Sequence, residues 1–130
     1  MNPADLKQRT RRYGLRILRM ADSLPRSRSS DVIARQIIRA GTSVGANYRA
    51  ACRARSKPDF VSKMTVVEEE LDETLYWMEL ILDAGLQKPA ALAKLMQEAQ
   101  ELLSITVVSI NTARGGPRAR STRKSAGSGR

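Results

Sequence analysis

Few residues of this chain could do chemistry. In the run Glu68-Glu69-Glu70-Leu71-Asp72-Glu73, Glu68 and Asp72 stand four apart, and so do Glu69 and Glu73. On a helix that spacing pairs carboxylates on one face, as a divalent metal or a general acid–base pair would require. Di-metal bundles add inward-pointing Glu-x-x-His ligands, and this chain of 130 residues contains no histidine. The same absence removes the commonest general base and the commonest metal-binding imidazole. The carboxylates also fall off the apolar stripe of their own segment, so a solvated or salt-bridged face accounts for them. Cys52, the single cysteine, has no histidine to activate it and reads as a packing residue. A non-enzyme is expected, with no catalytic residue, no metal and no cofactor.

A second candidate is the stretch "RAGTSVGANYRAACR", residues 39–53, with Gly41 and Gly45 among small residues flanked by arginines. A phosphate-cradling loop needs a preceding strand and a Gly-Lys-Ser/Thr ending, and neither is present. The apolar register Ile33, Ile37, Ala40, Val44, Tyr48, Ala51 instead runs through the glycines without a break. Each glycine inside a helix costs about 1 kcal/mol relative to alanine, a cost that close approach of a neighbouring backbone can offset. Gly41 and Gly45 are therefore read as a close-packing surface, with ligand binding as the alternative.

Apolar residues recur at helical spacing in four segments, and nowhere is a period of two sustained. The first follows Asn2-Pro3 and carries Leu6, Tyr13, Ile17, Ala21 and Leu24 up to Pro25. The second starts at Ser29 or Ser30. A third, capped by Ser56 with Asp59 three residues on, carries Phe60, Met64, Val67, Leu71, Leu75, Met78 and Leu82 until Gly85. The fourth begins near Pro89 and carries Leu92, Leu95, Met96, Ala99, Leu102, Leu103, Thr106 and Ile110. Short links between long helices predict an all-α, up-down-up-down antiparallel four-helix bundle over residues 1–113. Residues 114–130, polar and basic with no apolar residue larger than alanine, predict a disordered basic tail.

Charge is unevenly distributed. Residues 1–56 hold 13 basic and 3 acidic side chains, residues 57–113 hold 4 and 10, and residues 114–130 hold 6 and 0, for a total of +10. Such imbalance points to a polyanionic partner, nucleic acid before membrane, and equally offers the basic half an acidic partner within or between subunits. On a helical wheel Arg35, Arg39, Arg49 and Arg53 share one ridge opposite the core stripe, with Thr42 and Ala46 between them, and Arg9, Arg12, Arg16 and Arg19 gather similarly on the first helix. Two solvated faces would explain this, and so would a cationic surface that tracks a phosphate backbone. Arg118, Arg120, Arg123 and Lys124 of the tail add to that surface. Aromatic stacking residues are scarce, which favours backbone contact over sequence-specific readout of single strands.

The third helix carries a second stripe, Val66, Glu73, Trp77 and Leu80, and the fourth carries Ile105, Val107 and Val108 outside its core stripe. A monomeric bundle would expose them, so they predict a homo-oligomer interface anchored by Trp77. The most apolar run, Leu102 to Ile110, is about half the length that crosses a bilayer, and nothing near the amino terminus resembles a signal peptide. The lone cysteine fits a reducing compartment, so a cytoplasmic location away from membranes is expected.

The run "RAGTSVGANYRAACRARSKPDFVSKM" followed by "EEELDETLYWMELILDAG" resembles the bacterial four-helix bundle family of the 23S rRNA intervening-sequence proteins. "GTSVGANYR" and "ETLYWMELI" are its most specific blocks, and the likeness covers about residues 5–113. The resemblance implies a bundle that assembles into a homopentamer with a central channel and has no established catalytic activity. It also implies a distant relation to the basic accessory proteins of diversity-generating retroelements, which associate with nucleic acid and a reverse transcriptase. Ala50 departs from the family pattern, where glutamate is common, and any intersubunit ion pair made through that glutamate is missing here. Residues and resemblance together lead to a non-catalytic, self-associating basic bundle that binds nucleic acid electrostatically, RNA or an RNA-containing complex being favoured. The alternative is a protein–protein adaptor whose arginine ridges serve subunit contacts.

Overall fold

The computed structural model describes residues 1–115, and the tail arginines 118, 120 and 123 with Lys124 lie outside the described residues, as does the expectation of disorder there. Four helices fill the described chain: α1 (Pro3–Asp22), α2 (Arg28–Ala51), α3 (Lys57–Asp83) and α4 (Pro89–Ala113). Local chemistry sets three of the starts. The side chains of Asn2, Ser27 and Ser56 accept the backbone N–H three residues on, from Asp5, Ser30 and Asp59 respectively. The cap of α2 is thus Ser27, two to three residues before the start expected from the apolar pattern, because Ser27 is the serine held in extended backbone, with φ −162°. Gly85 ends α3 at φ +69°. Its N–H bonds Leu82 O and that of Leu86 bonds Ile81 O, a Schellman closure that only a residue tolerant of left-handed backbone makes without strain.

Each helix packs along its neighbours in sequence, α1 also touches α4 through a thinner seam, and the diagonal pairs do not approach. That is a square bundle. Its antiparallel sense is visible where α1 meets α2. A Cβ on Gly45 would lie 3.3 Å from Thr10 O, and one on Gly14 would lie 3.6 Å from Thr42 Cα. Contacts therefore climb α1 as they descend α2.

The core unites the expected stripes of α1 and α2 with Met64, Val67, Leu71, Leu75 and Met78 of α3 and Leu92, Leu95, Ala99, Leu102 and Ile110 of α4. Phe60, Met96 and Leu103 of the expected stripes are only partly buried, and two further details differ from the sequence pattern. Ile81 rather than Leu82 is fully buried, and Thr74 is fully buried as well. Helix α3 packs on both α2 and α4, so its apolar arc is wide and its central line is poorly marked by hydropathy alone. The buried threonine hydroxyls are satisfied within their own helices: Thr10, Thr74 and Thr106 donate to Leu6 O, Glu70 O and Leu102 O at 2.9, 2.6 and 2.7 Å.

Candidate nucleic-acid interface

Close approach of α1 and α2 leaves a shallow outer cleft between them. Its floor is made of small residues, Gly14, Thr42, Gly45 and Ala46. The structure sets Gly41 under Ile17, where an added Cβ would come within 2.8 Å of the isoleucine side chain, and sets Gly45 under the Thr10–Arg11 backbone. Gly14 is the third glycine at this contact, and sequence reading missed it because it considered the glycines of α2 alone.

Longer side chains rise on either side of that floor. From α1 come Lys7, Arg11 and Arg12, and from α2 come Arg49 and Arg53, while no carboxylate lines the cleft. Both Lys7 and Arg11, and Arg49 and Arg53, are four residues apart, so each pair stands on one helical face. None of the four arginines forms an ion pair among the described residues. Like charges gathered without a counter-charge raise the local potential and draw anions. Leu15 and Leu18, both exposed, close the other end of the cleft. Lys7, Arg11, Leu15 and Leu18 are not marked by the arginine periodicity of α1, because they lie on the flank that faces α2 and not on the ridge. Leucines spaced three apart off the core stripe of α1 were the available signal.

The remaining arginines do not form the two continuous ridges that the helical wheels predict. Arg9 turns onto α4, its Nε 2.6 Å from Glu98 Oε2 and its Nη2 2.6 Å from Glu101 Oε1. Arg39 leans onto α3, its Nη1 3.2 Å from Glu70 and its Nη2 2.5 Å from Glu73. Arg9 and Arg39 are therefore neutralised within the chain. Arg12, Arg49 and Arg53 share the cleft, whereas Arg16, Arg19 and Arg35 lie outside its lining. A helical wheel treats each helix alone and cannot register a carboxylate supplied by a neighbour.

The apolar second stripe also needs correction. Trp77, Leu80 and Ile105 are partly buried and pack against the core of the single chain. The Trp77 indole donates to Glu73 Oε2 at 3.0 Å within α3, and the same oxygen receives Arg39, so the Arg39–Glu73 pair stitches α2 to α3 and Trp77 holds its carboxylate. Val66 is partly buried. Val107 lines an outer cleft between α3 and α4 with Leu103, Glu68, Glu69 and Asp72. Of the candidate interface residues only Val108 is a largely exposed hydrophobic, joined by Val32 and by Tyr76, which is 54% exposed. Opposite faces of the square bundle thus carry opposite charge, basic along α1–α2 and acidic along α3–α4.

No group of three or more His, Cys, Asp or Glu residues among the described residues is placed to hold a metal ion. No described helix is long and apolar enough to cross a membrane. Residues 4–107 match the family model described as 23S rRNA-intervening sequence protein. A crystal structure of a protein with unknown function from the S23 ribosomal protein family of Bacteroides thetaiotaomicron VPI-5482 is similar, with a TM-score of 0.75 and 29% identity over 80% of this chain and 96% of that one. No curated protein matches.

Proposed function

The chain belongs to the 23S rRNA-intervening sequence protein family, and we propose that it is a non-catalytic, self-associating bundle that binds RNA electrostatically through the α1–α2 cleft. The observation that carries this reading is the convergence of Lys7, Arg11, Arg12, Arg49 and Arg53 on one cleft without a carboxylate in its lining. Guanidiniums fixed along two rigid helices engage phosphate oxygens in a set register and release counterions as they do so. The description of the family and the ribosomal grouping of the similar structure favour RNA over DNA. Exposed Val32, Tyr76 and Val108 supply apolar surface for self-association.

Anisotropy titration of a labelled RNA at stepped salt tests the reading. The Arg11→Gln, Arg12→Gln, Arg49→Gln, Arg53→Gln variant should bind at least tenfold more weakly while keeping its helicity, since the four side chains lie away from the core. RNA binding equal to the parent's would end it. An adaptor role would then take its place, favoured by the acidic α3–α4 cleft, which complements the basic one in charge.

A further inference from the structure

Lys7 lines two clefts at once. One is the α1–α2 cleft; the other, about 700 Å³, lies at the end of the bundle where α1 begins, α2 ends and α3 begins. This end cleft differs from the first in chemistry. Half-buried Phe60 and Ile105, backed by the core residue Tyr48, give it an apolar wall, Arg55 and Lys57 add two exposed cations, and it too is lined by no carboxylate. Neither Arg55 nor Lys57 forms an ion pair among the described residues; the nearby Asp59 carboxylate accepts the Arg55 backbone N–H at 3.3 Å and pairs with Lys63.

The antiparallel register that seats Gly45 beside Thr10 also orders the cations. Arg53 comes first from the bundle end, then Arg49 level with Lys7, then Arg11 with Arg12. Successive rungs are about one helical turn apart, roughly 5–6 Å, a step comparable to that between neighbouring phosphates of an extended strand. The rungs lead toward the end cleft, where Arg55 and Lys57 continue them around an apolar wall.

We propose that the end cleft takes an unpaired nucleobase of a single-stranded RNA whose phosphates follow the basic track past Lys7, so that the protein selects single strands over duplexes. The inference rests on the RNA-binding reading of the α1–α2 cleft. A cationic ridge alone attracts any polyanion, single or double stranded. An apolar wall bearing an aromatic ring contributes only if a base can leave its stack and lie against it, which an unpaired strand permits and a continuous duplex does not. The scarcity of aromatic residues in the chain is no obstacle, because Phe60, half-buried, lines this one cleft, with Tyr48, 6% exposed, packed behind it.

Cys52, half-buried and the only cysteine of the chain, lines the same cleft and reports its occupancy. The test compares labelled oligouridylate with the same strand paired to oligoadenylate, at one salt concentration, while the rate of Cys52 alkylation by a maleimide is followed. The single strand should bind about tenfold more tightly than the duplex and slow alkylation several-fold, and the duplex should leave Cys52 reactive. Phe60→Leu, which keeps apolar packing, should bring single-strand affinity close to that of the duplex with an unchanged circular dichroism spectrum. Lys57→Gln, which touches no packing, should weaken the single strand more than the duplex. Equal affinity for the two forms with Cys52 unprotected overturns the end-cleft site and leaves the electrostatic cleft standing. Equal protection of Cys52 by both forms overturns the single-strand preference. If neither RNA binds, both readings fall.

Discussion

Arg9 of α1 forks onto Glu98 of α4: its Nε lies 2.6 Å from Oε2 and its Nη2 2.7 Å from Oε1. The pair spans the thinnest seam of the bundle, and both side chains are largely buried, at 20% and 16% exposure. Glu98 first of all, with Glu101 second, holds the Arg9 guanidinium above its ordinary range, against the opposing cost of burial. A bidentate pair sheltered from water is worth more than a surface ion pair, because its geometry is fixed and its screening is low.

Arg9→Gln should therefore cost stability without costing RNA affinity. We expect a loss of about 1–2 kcal/mol in urea unfolding, and a double-mutant cycle with Glu98→Gln should return most of it as coupling energy. Zero coupling would mean that the fork does not hold the α1–α4 seam.

At Gly45 an added methyl would face backbone, not a side chain that could swing away: Thr10 O at 3.3 Å, Thr10 C at 3.4 Å and Arg11 N at 3.5 Å. Gly45→Leu should lower stability by roughly 1–3 kcal/mol through overpacking. Gly45→Ala should lose at the contact much of the approximately 1 kcal/mol that alanine gains in helix propensity. A melting curve for Gly45→Leu that matches the parent's would show that α1 and α2 do not need this close approach.

Arg39 first, and Trp77 second, hold the Glu73 carboxyl below its ordinary 4.5. A carboxyl depressed on folding stabilises fully above the unfolded value and loses that contribution as pH falls through the lower folded value. Fluorescence of Trp77, the only tryptophan, should thus change with a midpoint below 4.5. Glu73→Gln should abolish that transition and flatten the acid limb of the stability profile. A midpoint at or above 4.5 would contradict the Arg39–Glu73–Trp77 chain.

Salt dependence separates the helical cleft from the tail. Deleting residues 115–130 should weaken RNA binding at low salt yet leave a measurable interaction, because the cleft cations remain. Replacing Arg49 and Arg53 by glutamine should lower the slope of log affinity against log salt by roughly 0.7 per lost phosphate contact on a single strand. Complete loss of binding on tail deletion would assign the interaction to the tail.

Self-association is best probed at Tyr76, which is exposed and packs edge-on against Trp77 with ring centroids 5.0 Å apart. Tyr76→Glu should yield smaller species in light scattering while keeping helicity. Trp77→Glu is the poorer probe, since it would set a carboxylate beside Glu73 and break a contact internal to the chain. A parent protein that scatters as a monomer would remove self-association from the proposed function.

Four helices, their order and most of their core were legible in the sequence, because helix periodicity is a local property and short links leave few ways to pack. Ser56 with Asp59 and Gly85 also announced their ends directly, since caps and left-handed closures act within a few residues. The sequence likewise marked the glycine face of α2 as a close-packing surface, because the apolar register runs through it unbroken. It did not reveal which cations remain unpaired. Arg9 and Arg39 look identical to Arg12 and Arg49 on a helical wheel, and only the packing of α4 and α3 brings Glu98, Glu101, Glu70 and Glu73 within reach of the first two. Trp77 and Ile105 likewise looked exposed until neighbouring helices covered part of them. Periodicity fixes the face a side chain points from; what it meets there is decided by residues distant in the chain, whose positions exist only once the bundle has formed.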